Sequence, residues 1–154
     1  MNNKIVACLK CVPALLMLII IFHFSDATSS ESSQESFAIT KAIIEITNIK
    51  LNDNSLLFIE GIIRKIAHFL EYFCLGSACC LALSSFPART KTKCIIISIF
   101  CIVYAISDEV HQYFVPGRAC RIQDILLDSA GAIFAVAFWW IFTRFIYTRS
   151  DKIC

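Results

Sequence analysis

Four apolar runs, Ile5 to Phe24, Ile66 to Phe86, Cys94 to Val115 and Ile125 to about Tyr147, leave this chain little choice of solvent. Each run has the length of helix, about 20 residues, that crosses a hydrocarbon core of about 30 Å. Backbone N–H and C=O groups find no water there, so each run must satisfy its own hydrogen bonds as a helix. A β-barrel would need short alternating strands, and these runs do not alternate. Only 17% of the 154 residues are charged, and the mean hydropathy is +0.71. An ordinary soluble domain carries about 25% charged residues. The expected architecture is therefore an all-α integral membrane protein, a four-transmembrane-helix bundle forming one domain over residues 1–154. A net charge of +2 is too small to point to nucleic acid as a partner.

The cysteines do not alter this picture. Nine is an odd count, and Cys74, Cys79, Cys80, Cys94 and Cys101 lie inside apolar runs, where they read as small core hydrophobes. Cys8 and Cys11 have the spacing of a redox or zinc pair, but no second pair or βαβ context accompanies them. The first run has two readings. Lys4 and Lys10 followed by an apolar stretch and Ser25-Asp26-Ala27 also resemble a cleavable signal peptide. An uncleaved span is the better reading, because three helices alone make a thin bundle.

Basic residues orient the spans. Lys4, Lys10, Arg89, Lys91, Lys93, Arg144, Arg149 and Lys152 fall on one side, with Asp151 as the acid among them. Lys41, Lys50, Arg64, Lys65, Arg118 and Arg121 fall on the other, mixed with several acids. The positive-inside rule then places both termini in the cytoplasm. The long first loop lies outside. Its Thr28–Ser33 tract reads as flexible, and Ser32 to Glu35 reads as a capping box. From Phe37 to Lys50, Ile39, Ile43, Ile46 and Ile49 recur at helical spacing. They predict an extracytoplasmic amphipathic helix between the first two spans, either lying on the membrane surface or capping the bundle.

Against this apolar background two polar clusters stand out. One is Arg64-Lys65-Ile66-Ala67-His68-Phe69-Leu70-Glu71-Tyr72. The other runs from Ser107 through Asp108, Glu109, His111 and Gln112 to Arg118, then Asp124 and Asp128. An ionisable group at the centre of a lipid-embedded helix costs about 2.5–3.5 kcal/mol on insertion scales. So many together need partners, water or a task. His68, Glu71 and Tyr72 share one helical stripe, and Asp108, His111 and Gln112 share another. Arg121, Asp124, Asp128, Gly131 and Ala135 form a third, whose small residues let another backbone approach closely. All lie near the outer end of their spans, which predicts one shallow, outward-facing site.

His68, Glu71, Asp108, Glu109 and His111 are the candidate acid/base groups. Lys65, Tyr72, Gln112, Arg118, Asp124 and Asp128 are candidates for holding a ligand. Acid/base chemistry needs only an imidazole tuned by a carboxylate, and both clusters supply that pair. His68, His111 and a carboxylate are also ligand types for zinc or manganese, but the spacings match no zinc signature, and the sequence identifies no cofactor. Arg64, Lys65, Arg118 and Arg121 suit a phosphate presented at the membrane surface; headgroup anchoring or charge balance explains them equally well. The bland reading of the whole set is bundle cohesion. Interhelical polar contacts, however, contribute only about 0.6 kcal/mol each on average, a small return for such desolvation.

At Lys65-Ile66-Ala67-His68-Phe69-Leu70-Glu71-Tyr72-Phe73-Cys74-Leu75-Gly76, then Asp108-Glu109-Val110-His111-Gln112 with Phe114 to Arg118 and Asp124, the chain resembles the VanZ-like family of bacterial membrane proteins. The resemblance extends over nearly the whole chain and is densest at residues 62–135. It implies four helices, a bacterial plasma membrane and a role in the cell envelope. The family's namesake is associated with resistance to the glycopeptide teicoplanin. Asp128 stands where the family usually has Asn, and Ala135 where it has Gly. Three functions compete. A protein could bind or modify a lipid-linked wall precursor and so alter glycopeptide access. An enzyme could act on a lipid headgroup or polyprenyl phosphate. A small transporter fits less well, because no repeat is visible and the polar groups are shallow.

Overall fold

Each expected span is a helix, and each overruns its apolar run at one end or both. The computed structural model describes the main chain of residues 3–47 and 52–150, and side chains as far as residue 145. The helices are α1 (Asn3–Asp26), α2 (Ser29–Thr47), α3 (Asp53–Leu83), α4 (Thr90–Gln112) and α5 (Ile122–Ser150). All but α2 are long and apolar enough to cross a membrane, so the protein is a multi-pass membrane protein with four candidate spans.

The largest boundary change is in α3, which starts at Asp53 rather than at Ile66. Asn52 caps this helix, and Asp53 to Ser55 form its first turn. The Asn52 side chain accepts the Ser55 N–H at 2.8 Å, and Asp53 sits in the first turn, where a negative charge suits the helix dipole. Polar caps of this kind carry no hydropathy signal, so the apolar run understates the helix.

α2 also differs from expectation. It begins at Ser29, within the tract expected to be flexible. The capping box is not Ser32–Glu35 but Thr28–Glu31. Thr28 N–H donates to Glu31 Oε2 at 2.7 Å, and the Thr28 hydroxyl accepts the Glu31 N–H at 3.4 Å. The Thr28 N–H holds the Glu31 carboxyl below its ordinary pKa. The buried residues of α2 are Ser36 and Thr40, not its isoleucines. Their hydroxyls donate to the carbonyls of Ser32 and Ser36, which satisfies them within the helix and allows burial. Phe37, Ile39, Ile43 and Ile46 stay exposed. The predicted end of this helix, Ile49 and Lys50, lies outside the described residues.

α3 is the hub, packed against all four other helices. Tyr72, Leu75, Ile97, Cys101, Ala132 and Val136 form the core with Ile21 of α1. α3 and α5 approach most closely through small residues. A Cβ on Gly131 would collide with the Phe69 carbonyl oxygen, and one on Gly76 would lie 2.9 Å from Ala132 O. Thus the stripe containing Gly131 and Ala135 does admit a neighbouring backbone. Gly76 supplies the matching gap on α3.

α1 is an integral part of the bundle. The Tyr104 hydroxyl of α4 donates to the Leu18 carbonyl at 2.7 Å, and Ile21 is almost fully buried. Lys10 donates to Ser84 Oγ at 3.1 Å. That bond sets the first half of α1 beside the α3–α4 turn, at what is here termed the termini end. The opposite end carries α2 and the α4–α5 loop. The eight described cysteines are all unpaired.

Candidate functional site

α3 carries Arg64, His68 and Glu71 one helical turn apart, so the three side chains follow one stripe. α2 crosses beside them with Ser32 and Glu35, and the α4–α5 loop brings Arg118 in from the other side. This loop turns sharply because Gly117 adopts φ 76°, a left-handed conformation natural to glycine. The result is a cleft with two lobes, of about 170 and 90 Å³, which share Ser32, Arg64, His68 and Arg118. Glu71 lies in the larger lobe; Gln112, Arg121 and Asp124 lie in the smaller.

Behind the cleft is a second shell of acids. Asp128 is completely buried, with Oδ1 at 3.7 Å from His68 Nδ1 and both carboxylate oxygens without a hydrogen-bond partner in the protein. Tyr72 is also completely buried, and its hydroxyl has no partner. Asp108 accepts from the Gln112 side-chain amide at 3.2 Å, one turn along α4. Glu109, fully buried, accepts the backbone N–H of Arg121 at 2.8 Å through Oε2 and leaves Oε1 unpartnered. That carboxylate ties the α4–α5 loop to the end of α4, at the point where α5 begins.

The predicted residues therefore divide into three groups. His68, Glu71, Gln112, Arg118 and Asp124 line the cleft. Tyr72, Asp108, Glu109 and Asp128 are buried within the bundle at the same end. Lys65 and His111 point elsewhere. Lys65 is exposed and turned away from the cleft, because it is one residue, about 100° of helical rotation, from Arg64. His111 stacks on Phe22 of α1 with ring centroids 4.8 Å apart, and its Nε2 lies 3.6 Å from Asp26 Oδ1. It fastens α4 to α1 rather than joining His68.

Among the described residues no three His, Cys, Asp or Glu side chains converge closely enough to hold a metal ion. The two histidines proposed as joint ligands serve different interfaces. Residues absent from the predicted set complete the cleft, chiefly Ser32 and Glu35 of α2 and Phe24 of α1. Their signal was the spacing of Ser29, Ser32, Ser36 and Thr40, a hydroxyl stripe of helical period inside a tract that reads as flexible.

A polytopic helical membrane protein with a polar cleft at one end of its bundle is the class these features define. The chain belongs to the VanZ/LLP1 family, whose model matches residues 11–143. Neither the curated proteins nor the solved structures provide a match to it.

Proposed function

We propose that this VanZ/LLP1 membrane protein acts in the bacterial cell envelope, where its cleft binds or modifies a lipid-linked envelope component and thereby alters susceptibility to teicoplanin-type glycopeptides. The observation that carries this reading is where the unmet hydrogen-bonding capacity lies. Arg64 Nε, His68 Nδ1, Tyr72 OH, Glu109 Oε1, His111 Nε2 and both oxygens of Asp128 are buried without a hydrogen-bond partner in the protein. All of them lie at the end that carries α2. Leaving a buried polar group unsatisfied costs about 1–3 kcal/mol. Buried polar groups are normally paired, so donors and acceptors gathered at this end suit a polar ligand better than bundle cohesion alone.

In this reading the α2 end faces outward and the termini are cytoplasmic, in keeping with Arg89, Lys91 and Lys93 in and beyond the α3–α4 turn. Reporter fusions at residues 90 and 120 test this; an external residue 90 sinks the orientation. A second reading, an enzyme acting on a lipid headgroup or polyprenyl phosphate, draws on the His68–Asp128 pair. The Asp128 carboxylate lies 3.7 Å from Nδ1; a small approach on ligand binding would fix the imidazole tautomer and leave Nε2 to exchange a proton in the cleft. Lipid and muropeptide profiles of cells with and without the protein separate the two. A changed covalent product favours the enzyme, whereas altered glycopeptide sensitivity with unchanged profiles favours binding. Unchanged profiles and unchanged sensitivity would refute both.

A further inference from the structure

Three guanidinium groups line the cleft, and two of them, Arg64 and Arg118, are shared by both lobes; among the described residues neither of these two forms an ion pair with a carboxylate, although Glu35, Glu71 and Asp124 line the walls. Arg64 donates from Nη2 to Ser33 Oγ at 2.9 Å, and Arg118 donates from Nη2 to the Phe24 carbonyl at 3.2 Å. Both acceptors are neutral. A guanidinium has five N–H donors, so each retains most of its capacity, and Arg64 Nε is buried without a partner. The two charges also oppose each other. Burial, followed by the nearby Arg64 charge, holds Arg118 below its ordinary pKa, although Asp108, Glu109 and Glu71 act in the opposite direction. An oxyanion accepting from both would remove that repulsion and fill the unused donors.

The rest of the cleft is amphiphilic. Phe24, Ile39 and Ile63 form an apolar wall of the larger lobe beside the two arginines. Outside it, Phe37 and Ile43 of α2 and Phe58 and Ile62 of α3 are exposed, so apolar surface continues beyond the lobe. A small hydrophilic anion would make no use of that wall.

Resting on the reading of this cleft as the functional site, we infer that it holds the phosphate group of a membrane lipid, with Arg64 and Arg118 donating to the phosphate oxygens and the lipid chains leaving past Phe24, Ile39 and Ile63. The serine hydroxyls of Ser29 and Ser32 on the smaller lobe offer further donors to a phosphate ester.

Native mass spectrometry of the full chain in a neutral detergent, titrated with dioctanoyl phosphatidic acid, inorganic phosphate or dioctanoylglycerol, tests the inference. Phosphatidic acid should bind, and the other two should bind at least about tenfold more weakly, dioctanoylglycerol because it lacks the charge-assisted hydrogen bonds and inorganic phosphate because it buries no apolar chain. Arg64→Gln and Arg118→Gln should each weaken phosphatidic acid binding by about tenfold. Arg89→Gln, at the termini end, should leave it unchanged. Inorganic phosphate binding as tightly as the lipid would overturn the lipid assignment, and dioctanoylglycerol binding as tightly would overturn the phosphate. These comparisons use the unaltered chain, so they stand even if a variant misfolds. Failure of all three ligands to bind, while His68→Ala still abolishes the envelope phenotype, would reject this ligand and leave the proposed function standing.

Discussion

The two ends of the bundle are built on opposite rules. At the termini end, α1, α3 and α4 meet through Ile97, Cys79, Cys101 and Leu83, and the space left between them is a wholly apolar cavity of about 310 Å³. Lys10, on the first half of α1, has Ser84 as a partner. At the α2 end, fully buried Asp128, Glu109 and Tyr72 accompany unpartnered polar atoms from α3, α4 and α5. One end buries apolar side chains, whereas the other buries polar ones. Besides the Arg121–Glu109 hydrogen bond and the contacts of His111 with α1, the α2 end is held by packing, above all the near contact of the α3 and α5 backbones at Gly131 and Gly76.

If packing holds the α2 end, Gly131→Val will have the largest effect of all. Its added side chain meets backbone, which cannot yield as a flexible side chain would. A cost of about 3 kcal/mol, the upper part of the overpacking range, would remove most folded protein. Thermal melts in detergent check this, and a normal melt would show that the close helix approach is dispensable.

Next, His68→Ala and Asp128→Asn should abolish the envelope phenotype at normal protein levels and shift stability by less than about 1 kcal/mol. Asn in place of Asp128 keeps the side chain's shape and replaces a buried carboxyl group that has no hydrogen-bond partner, so folding has little to lose. Asp108→Asn should behave likewise. Melting losses at these positions as large as those from core truncation would make the polar cluster structural, and the contrast between the ends would collapse.

Ile97→Ala supplies the core reference. It should destabilise by about 2 kcal/mol, the low end for such truncations, while phenotype falls only in proportion to protein level. A loss of phenotype at full protein level would place function at the termini end.

The smallest effect concerns the start of α2. Thr28→Ala should cost about 1 kcal/mol in helix stability, seen as faster hydrogen exchange in the first turn. Because Glu31 has a lowered pKa in the fold, its contribution is complete above the ordinary carboxylate range and fades as pH falls through the lowered value. Glu31→Gln should abolish that acid-side fading. If exchange in α2 is insensitive to both changes, the capping box does not hold this helix in place.

Particular residues show how far the candidate site was legible. Hydropathy and a fixed rise per residue are local properties, so the four spans and the clustering of polar groups at one end of them follow from residue order alone. Small residues at Gly131 likewise announced a close helix neighbour. Rotation about a helix is less forgiving. Asp108, His111 and Gln112 share a stripe, yet residues three and four positions apart still differ by about 100° between themselves. That arc spans two neighbours in a bundle, and His111 met α1 while Gln112 met the cleft. Arg64 and Lys65, adjacent in sequence, were divided in the same way.

By itself, then, the sequence determined the solvent, the helices and the end of the bundle where chemistry is concentrated, because each depends on composition along a single helix. Only the tertiary structure decided which polar groups meet. The partners of His68 come from α5, the cleft wall of serines comes from α2, and the Glu109 carboxylate reaches the start of α5. Those pairings depend on how helices turn toward one another, which backbone contacts at Gly76 and Gly131 set and no periodicity encodes.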